Sequence, residues 1–222
     1  MKGNIRLGII LALFSAIGCA SLAIVYSVTK DTIATQGQKA FNASLKELFP
    51  SSDGKTDDIT ASLKSTDPTV TIINAVVVKS NQSPIGVAVK AAGPSYGGQA
   101  SVLVGVSLQK TIAGVSVLDL SDTPGLGMNA KNPSYYVNKA NKTTFPGQFA
   151  GKNLSDPFEV KKDVSAITAA TITSRSLTNI IKAASNAAEV WLESTGTVGA
   201  TSTTVAASTA AAPAAAGTSG GK

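Results

Sequence analysis

The stretch VTIINAVVVKSNQSPIGVAVKAAGPSYGGQASVLVGVSLQKTIAGVSVL, residues 70–118, contains four runs of apolar and β-branched residues separated by Gly, Pro, Asn and Ser. The runs are residues 70–79, 85–91, 101–108 and 112–118. This composition is typical of β-strands, and the connections are too short for the crossovers that join parallel strands. The sequence therefore predicts a meander of four antiparallel strands.

Helices are predicted on both sides of this meander. Residues 172–194 place apolar side chains at helical spacing, which buries one helix face against a sheet and includes Trp191 in the core. Residues 31–48 show a similar spacing, and Pro50 ends the pattern. The predicted fold class is α+β, with an N-terminal transmembrane helix followed by one extracytoplasmic domain of antiparallel sheet flanked by helices.

A membrane anchor is predicted over residues 7–28, which contain no charged side chain. Twenty-two helical residues at about 1.5 Å each span a hydrocarbon core of about 30 Å. Lys2 and Arg6 precede the run, which predicts a single-pass protein with a cytoplasmic N-terminus. The alternatives are a cleaved signal peptide and a lipoprotein modified at Cys19, but residues 20–28 stay apolar beyond any such cleavage point.

The chain divides into three parts by composition. Residues 1–30 form the cytoplasmic tip and anchor, residues 31–194 the folded domain, and residues 195–222 a tail rich in Ala, Thr and Gly that predicts disorder. Within the domain, residues 51–68 are rich in Ser, Asp and Thr and predict a surface connection. Residues 119–160 contain four prolines and predict a long loop region, which is often functional in a compact domain.

Composition excludes several kinds of site. The chain has no histidine and one cysteine, Cys19, which excludes a Ser-His-Asp triad, a histidine zinc site, an iron-sulfur cluster and an internal disulfide. The net charge of +6 comes without a run of like charges, so no nucleic-acid partner is predicted. We predict no metal site and no catalytic side chain.

The segment SAITAATITSR, residues 165–175, leads into the last predicted helix. A helix start offers unpaired backbone N–H groups and the positive end of the macrodipole, so it favours a phosphate, and Arg175 would add charge there. The simpler interpretation is that Thr168 or Thr171 caps the helix with its hydroxyl group. The residues alone leave both interpretations open.

Three motifs resemble one known family. SAITAATITS is similar to the S/T-G-A-T motif of the covalent FMN-binding domain shared by the G subunit of the Rnf complex and the C subunit of the sodium-pumping NADH:quinone reductase. DTPGLG at 122–127 resembles the family's E-T-P-G-L-G loop, and YGG at 96–98 resembles its aromatic-glycine turn. Residues 147–153 also match, so the resemblance covers nearly all of 1–194. Asp122 replaces the family's glutamate and Ala169 a glycine.

The resemblance implies that Thr171 carries FMN through a phosphoester bond. Gly125 and Gly127 would let the backbone approach a flat ring while Leu126 supplies an apolar face, although a plain Pro-Gly turn explains the same residues. The predicted cofactor-binding residues are Thr171, Thr168, Ala169, Ala170, Thr123, Gly125, Leu126, Gly127, Tyr96 and Gly97.

The same resemblance implies a function in electron transport. It implies an electron-relay subunit of a ferredoxin:NAD oxidoreductase in the bacterial inner membrane, coupled to ion transport and without catalytic machinery of its own. The implied partners are the other subunits of the complex, a flavin transferase during maturation and membrane lipid. The alternatives are the C subunit of the quinone reductase and a membrane-anchored binding or scaffold protein without flavin.

Overall fold

The computed structural model describes residues 2–196, so the predicted disorder of the tail falls almost wholly outside the described residues. The helices are α1 (Lys2–Leu48) and α2 (Thr171–Ser194). Short 3-10 turns occupy Thr60–Ser62, Gly127–Lys131 and Pro146–Phe149. The strands are β1 (Thr56–Asp58), β2 (Thr71–Ser80), β3 (Ser83–Pro94), β4 (Gln99–Ser107), β5 (Ile112–Asp119), β6 (Tyr136–Asn138) and β7 (Thr143–Thr144).

The five strands β1 to β5 form one sheet in chain order, and every neighbouring pair is antiparallel. The predicted meander is therefore confirmed. β3 begins two residues earlier than predicted because Asn81 and Gln82, at φ +50° and +67°, form a two-residue hairpin turn. This turn pairs Ser80 directly with Ser83.

β1 was missed by the sequence prediction, which made residues 51–68 a surface connection. Thr56–Asp58 pairs with Val76, Val77 and Val78 at the edge of the sheet, and its three side chains are all exposed. Asp57 also forms an ion pair with Lys79 of β2, but none of the three side chains is apolar, so the strand gives no apolar alternation that a sequence could reveal.

Each face of the sheet is covered by one helix. α2 packs the buried Leu177, Ile180 and Ile181 against the larger core, and Trp191 lies partly buried at its margin rather than inside it. The end of α1 covers the other face with Phe41 and Leu45, which belong to a smaller cluster with strand residues. The α+β class with flanking helices is therefore confirmed.

The region of residues 119–160 is largely irregular, as predicted, but it packs firmly against the core. Phe145 and Phe149 are fully buried, with ring centroids 5.7 Å apart in an edge-to-face arrangement. Phe158 stacks on Phe149 at 6.1 Å. These aromatic contacts anchor the segment that leads to α2.

α1 is one unbroken helix across residue 30, where the sequence placed a domain boundary. Among the described residues it is the helix that is long and apolar enough to cross a membrane, with a mean hydropathy of 2.4 over its most apolar window. Cys19 is exposed on this helix. An exposed apolar helix of this length is what a membrane anchor requires.

The two ends of the sheet differ in their distance from the apolar part of α1. Ile33 and Gly37 line a groove together with Ala92 and Gln99, which flank the β3–β4 turn. We call this the proximal end of the sheet. The distal end carries the β4–β5 turn with Lys110. Lys110 pairs with Glu189, near the C-terminus of α2, which shows that this helix runs from the proximal to the distal end.

Candidate functional site

A cavity of about 380 Å³ lies at the proximal end of the sheet. It has three walls: the β3–β4 turn, the loop after β5, and the start of α2. The lining residues are Tyr96 from the turn, Thr123, Leu126 and Gly127 from the loop, and Ala169, Ala170, Thr171, Ile172 and Thr173 from the helix start. Segments separated by more than 70 residues thus meet around one space.

Seven of the ten predicted binding residues line this cavity. Gly97, Gly125 and Thr168 do not line it, although each lies in one of the three walls or directly before it. Thr168 is exposed, and its backbone N–H donates to Tyr135 Oη at 3.2 Å. Gly125 has φ +76° and its carbonyl accepts a hydrogen bond from the Asn129 side chain.

Sequence reasoning missed two lining residues, Ile172 and Thr173. Thr173 is buried, and its position four residues before Leu177 could have placed it on the buried face of α2. Ile172 is 60% exposed at the rim, and no periodic pattern in the sequence marks it. The packing of the loop against the helix start brings both into the site.

The N-terminus of α2 has no side-chain cap. Ala170 occupies the N-cap position, and no hydroxyl group of residues 2–196 accepts a hydrogen bond from the first turn. The interpretation of Thr168 or Thr171 as an ordinary cap is therefore wrong. In the described part of the chain, the backbone N–H groups of Thr171 and Ile172 meet no protein acceptor. The helix start is left open to an anion beside the Thr171 hydroxyl.

The chain enters this helix through a tight reversal held by Ser174. Its hydroxyl accepts the Ile167 N–H at 2.9 Å and donates to the Ala170 carbonyl at 2.9 Å. Ala169 adopts φ +59°, in the left-handed region that favours glycine. The conformation explains why the similar family has glycine at this position.

Gln148 holds the segment that precedes the reversal. Its side-chain oxygen accepts the Ser165 N–H at 2.7 Å, and its side-chain nitrogen donates to the carbonyls of Ser165 and Phe145 at 3.1 and 3.0 Å. One amide therefore fixes both backbone groups of Ser165. This contact gives residues 147–153, part of the resemblance, a structural role in the site.

Asp122 lies buried behind the cavity and was not among the predicted site residues. Its carboxylate accepts hydrogen bonds from the Ser95 hydroxyl at 2.7 Å, the Gly97 N–H at 2.7 Å and the Thr173 hydroxyl at 2.5 Å. Burial raises the pKa of Asp122, but the bonds from Thr173, Gly97 and Ser95 outweigh it and hold the pKa below its usual value. The carboxylate is ionised at neutral pH.

Two glycines let the walls meet this closely. A Cβ atom on Gly127 would lie 2.6 Å from Thr173 Oγ1 and 2.7 Å from Asp122 Cβ. A Cβ atom on Gly97 would collide with the backbone of Ser121. Both positions require glycine because backbone approaches backbone or a packed side chain, and the turn and loop close on each other only for that reason.

The rim of the cavity is apolar and exposed. Tyr96, Leu126 and Ile172 are 65%, 40% and 60% exposed. An apolar rim beside an uncapped helix start and a hydroxyl group fits a ligand with a flat ring at one end and a phosphate at the other. FMN has this form, so the residues present fit that cofactor.

Family models match two regions of the chain. A model described as FMN-binding domain matches residues 95–186, which contain all three cavity walls. A model described as RnfG N-terminal region matches residues 1–48, which coincide with α1.

Curated relatives match over most of their length. The G subunit of the Na(+)-translocating ferredoxin:NAD(+) oxidoreductase complex of Acetobacterium woodii is 28% identical over 190 residues, covering 78% of this chain and 86% of that protein. The G subunit of the ion-translocating oxidoreductase complex of Erwinia tasmaniensis is 30% identical, covering 79% and 85%. A similar solved structure, Shewanella oneidensis NqrC, gives a TM-score of 0.42 at 17% identity over 59% of this chain and 72% of that chain. The chain belongs to the family of G subunits of ion-translocating oxidoreductase complexes.

Proposed function

We propose that this chain is the electron-relay subunit of a membrane-bound, ion-translocating ferredoxin:NAD oxidoreductase, with FMN bound covalently at Thr171. Its family membership supports the assignment, and the domain that matches the FMN-binding model contains the whole cavity. The other subunits of such a complex are its partners. The chain contributes to an enzyme without catalytic acid–base groups of its own.

The uncapped start of α2 is the observation that carries the proposal. Thr171 lines the cavity, and the N–H groups of the first helical turn lack protein acceptors in the described part of the chain. Attachment would join the Thr171 hydroxyl oxygen to the flavin phosphorus while the P–O bond of a flavin phosphoanhydride breaks. The other half of the phosphoanhydride would leave as a phosphate monoester, and the hydroxyl proton would pass to solvent. A flavin transferase supplies the activated flavin phosphoanhydride, so the chain gains FMN less one water.

Once attached, FMN supplies the capacity to take up and release electrons. The role of the protein is to bind the cofactor, orient it and shield it from water. The helix N–H groups would hold the phosphate, because they carry the positive end of the helix dipole and meet no other acceptor among the described residues. Tyr96, Leu126 and Ile172, the exposed apolar side chains of the cavity, would contact the ring and shield it from water.

The position of the cavity supports electron exchange at the membrane surface. Residues 33–37 of α1 lie beside the proximal end of the sheet, which also carries Tyr96. They follow Val28, the last residue of the predicted membrane anchor, by five to nine residues, or about 8 to 14 Å of helix. With Lys2 and Arg6 on the cytoplasmic side, the domain lies outside and α1 contacts membrane lipid.

Intact-mass measurement tests the covalent site. The full chain, co-expressed with a flavin transferase, gains the mass of FMN less one water, and the gain maps to the peptide that contains Thr171. The variant Thr171→Ala gains nothing, while Thr66→Ala gains as much as the wild type because that exposed side chain lies outside the cavity and outside the motifs of the site. Flavin on Thr171→Ala would contradict the assignment, and a wild type without flavin would favour a scaffold protein.

Thiol labelling tests the orientation separately. In a Cys19→Ser background, Lys64→Cys places a thiol at an exposed position of the domain. A membrane-impermeant maleimide added to intact spheroplasts should label it, whereas Lys2→Cys should react only after lysis. The reverse pattern would place the domain in the cytoplasm.

A further inference from the structure

Asp122 is the only charged side chain that is buried among the described residues, at 4% exposure. Burying a carboxylate is costly unless hydrogen bonds compensate, and removing its partners leaves the charge uncompensated. No lysine or arginine in the described part of the chain pairs with it. Its compensation comes wholly from hydroxyl and backbone donors.

Those donors belong to different walls of the cavity. Ser95 and Gly97 donate from the β3–β4 turn, and Thr173 donates from the first turn of α2. Asp122 itself begins the loop that forms the third wall. One carboxylate therefore joins all three walls at a single point.

The loop also folds back over this carboxylate. The Cα of Gly127 packs so closely on Asp122 and Thr173 that no side chain fits between them. The residues that define the cavity opening, Tyr96 and Leu126, sit in the turn and the loop that Asp122 fixes. Loss of the carboxylate would leave two hydroxyl groups and one N–H unsatisfied, and the walls would separate to solvate them.

We propose that Asp122 is the positioning residue of the flavin site: it holds the three walls together so that the cavity and Thr171 are in place before flavin attachment. This inference rests on the proposed function. It also places a fixed negative charge directly behind the cavity. A negative charge there opposes the addition of electrons to the flavin, so Asp122 lowers its midpoint potential.

The hydrogen bonds from Thr173, Gly97 and Ser95 support this role because they keep the carboxylate ionised despite its burial. Asp163 provides a matched control. It is a partly buried carboxylate, also with a lowered pKa, that accepts the Glu159 and Phe158 N–H groups and pairs with Lys152 at 3.1 Å. It does not line the cavity.

The experiment compares variants of the full chain, co-expressed with limiting flavin transferase. We expect Asp122→Asn and Thr173→Val to reduce the flavinylated fraction, since each removes part of the hydrogen-bonded contact between the Asp122 carboxylate and the cavity walls. Asp122→Glu and Thr173→Ser keep the charge and the hydroxyl, so they should retain most of the attachment. Asp163→Asn should lower the melting temperature without reducing the flavinylated fraction.

A redox titration measures the flavin midpoint potential, which would not change if Asp122 had only a structural role. The flavin that does attach to Asp122→Asn should titrate at a more positive midpoint potential than the wild type, while Asp163→Asn should match the wild type. Wild-type attachment and potential in Asp122→Asn would overturn the inference, as would equal losses of flavin in Asp122→Asn and Asp163→Asn at equal loss of stability. Failure of the wild type to acquire any flavin would instead overturn the proposed function.

Discussion

The two ends of α2 are built in opposite ways. At the distal end, Lys110 from the β4–β5 turn pairs with Glu189 and Glu193, which offsets the unfavourable position of two acidic groups near a helix C-terminus. At the proximal end, the first turn has no cap and Ile172 is largely exposed. The charged groups of α2 are therefore paired at the end that only supports the fold, whereas its backbone N–H groups are unpaired at the end that meets the cavity.

This difference separates stability from function along one element. Free N–H groups and exposed apolar side chains cost free energy, and under the proposed function a bound phosphate and ring would remove both costs. Changes at the proximal end should therefore affect flavin attachment, and changes at the distal end only the free energy of unfolding. The following substitutions test that separation.

Gly127→Ala should have the largest effect. The new methyl group would lie 2.6 Å from Thr173 Oγ1, so the loop and the helix start must move apart. We expect the free energy of unfolding to fall by about 1–3 kcal/mol, as in overpacked sites. The flavinylated fraction should fall roughly tenfold or more, because small displacements disrupt chemistry that depends on positioning. Chemical denaturation and intact mass measure the two effects.

Gly54→Ala is the control for that substitution. Gly54 has φ +77° but open space around its Cβ position, next to the distal end of the sheet. The substitution should cost about 1 kcal/mol of backbone strain and leave flavin attachment unchanged. Equal losses of flavin in both variants would show that general stability, not the geometry of the cavity, controls attachment.

The sheet was predictable because its signals are local. Each of the four main strands carries its own β-branched run, and α2 carries a complete apolar stripe, so their order and pairing followed from spacing alone. Most of the cavity lining followed from short motifs such as residues 122–127 and 165–175. β1 could not be found this way because its three side chains are exposed and polar, so they carry no apolar pattern.

The parts of the site that sequence reasoning missed depend on long-range contacts. Asp122 meets Thr173 across 51 positions and Gly97 across 25, and nothing local in the chain indicates either contact. The absence of a side-chain cap at the start of α2 could not be predicted either, because Thr168 and Thr171 lie where the sequence predicts a cap. Both features arise only when the three walls are assembled.

Ala169→Gly should sharpen the comparison in the stabilising direction. Ala169 adopts φ +59°, which an alanine tolerates poorly and a glycine readily. Relief of that strain, less the entropy that glycine adds to the unfolded chain, should raise the free energy of unfolding by about 0.5–1 kcal/mol. Flavin attachment should be retained or improved, as measured by intact mass.

Ala184→Gly is the matched change inside α2. Ala184 is fully buried in a helical conformation, so glycine there should lower the free energy of unfolding by about 1 kcal/mol or more. Chemical denaturation of both variants should give effects of opposite sign. Destabilisation by Ala169→Gly to a similar extent would show that the reversal before the helix is not strained.

Lys110→Asn should have the smallest effect and should be confined to stability. Lys110 has φ +58°, which asparagine tolerates, so the substitution removes the charge without straining the turn. The hydrogen bond and ion pair with Glu193, together with Glu189, raise the pKa of Lys110 above its usual value. A raised pKa means that the pair stabilises the folded state below the pKa of an unfolded lysine, about 10.4, and ceases to do so as pH rises through the folded value.

The melting temperature of Lys110→Asn should therefore lie slightly below that of the wild type at neutral pH and become equal to it at alkaline pH. The flavinylated fraction of the variant should equal that of the wild type. A loss of flavin in this variant would show that the two ends of α2 are coupled, and that its proximal turn depends on how its distal turn is held.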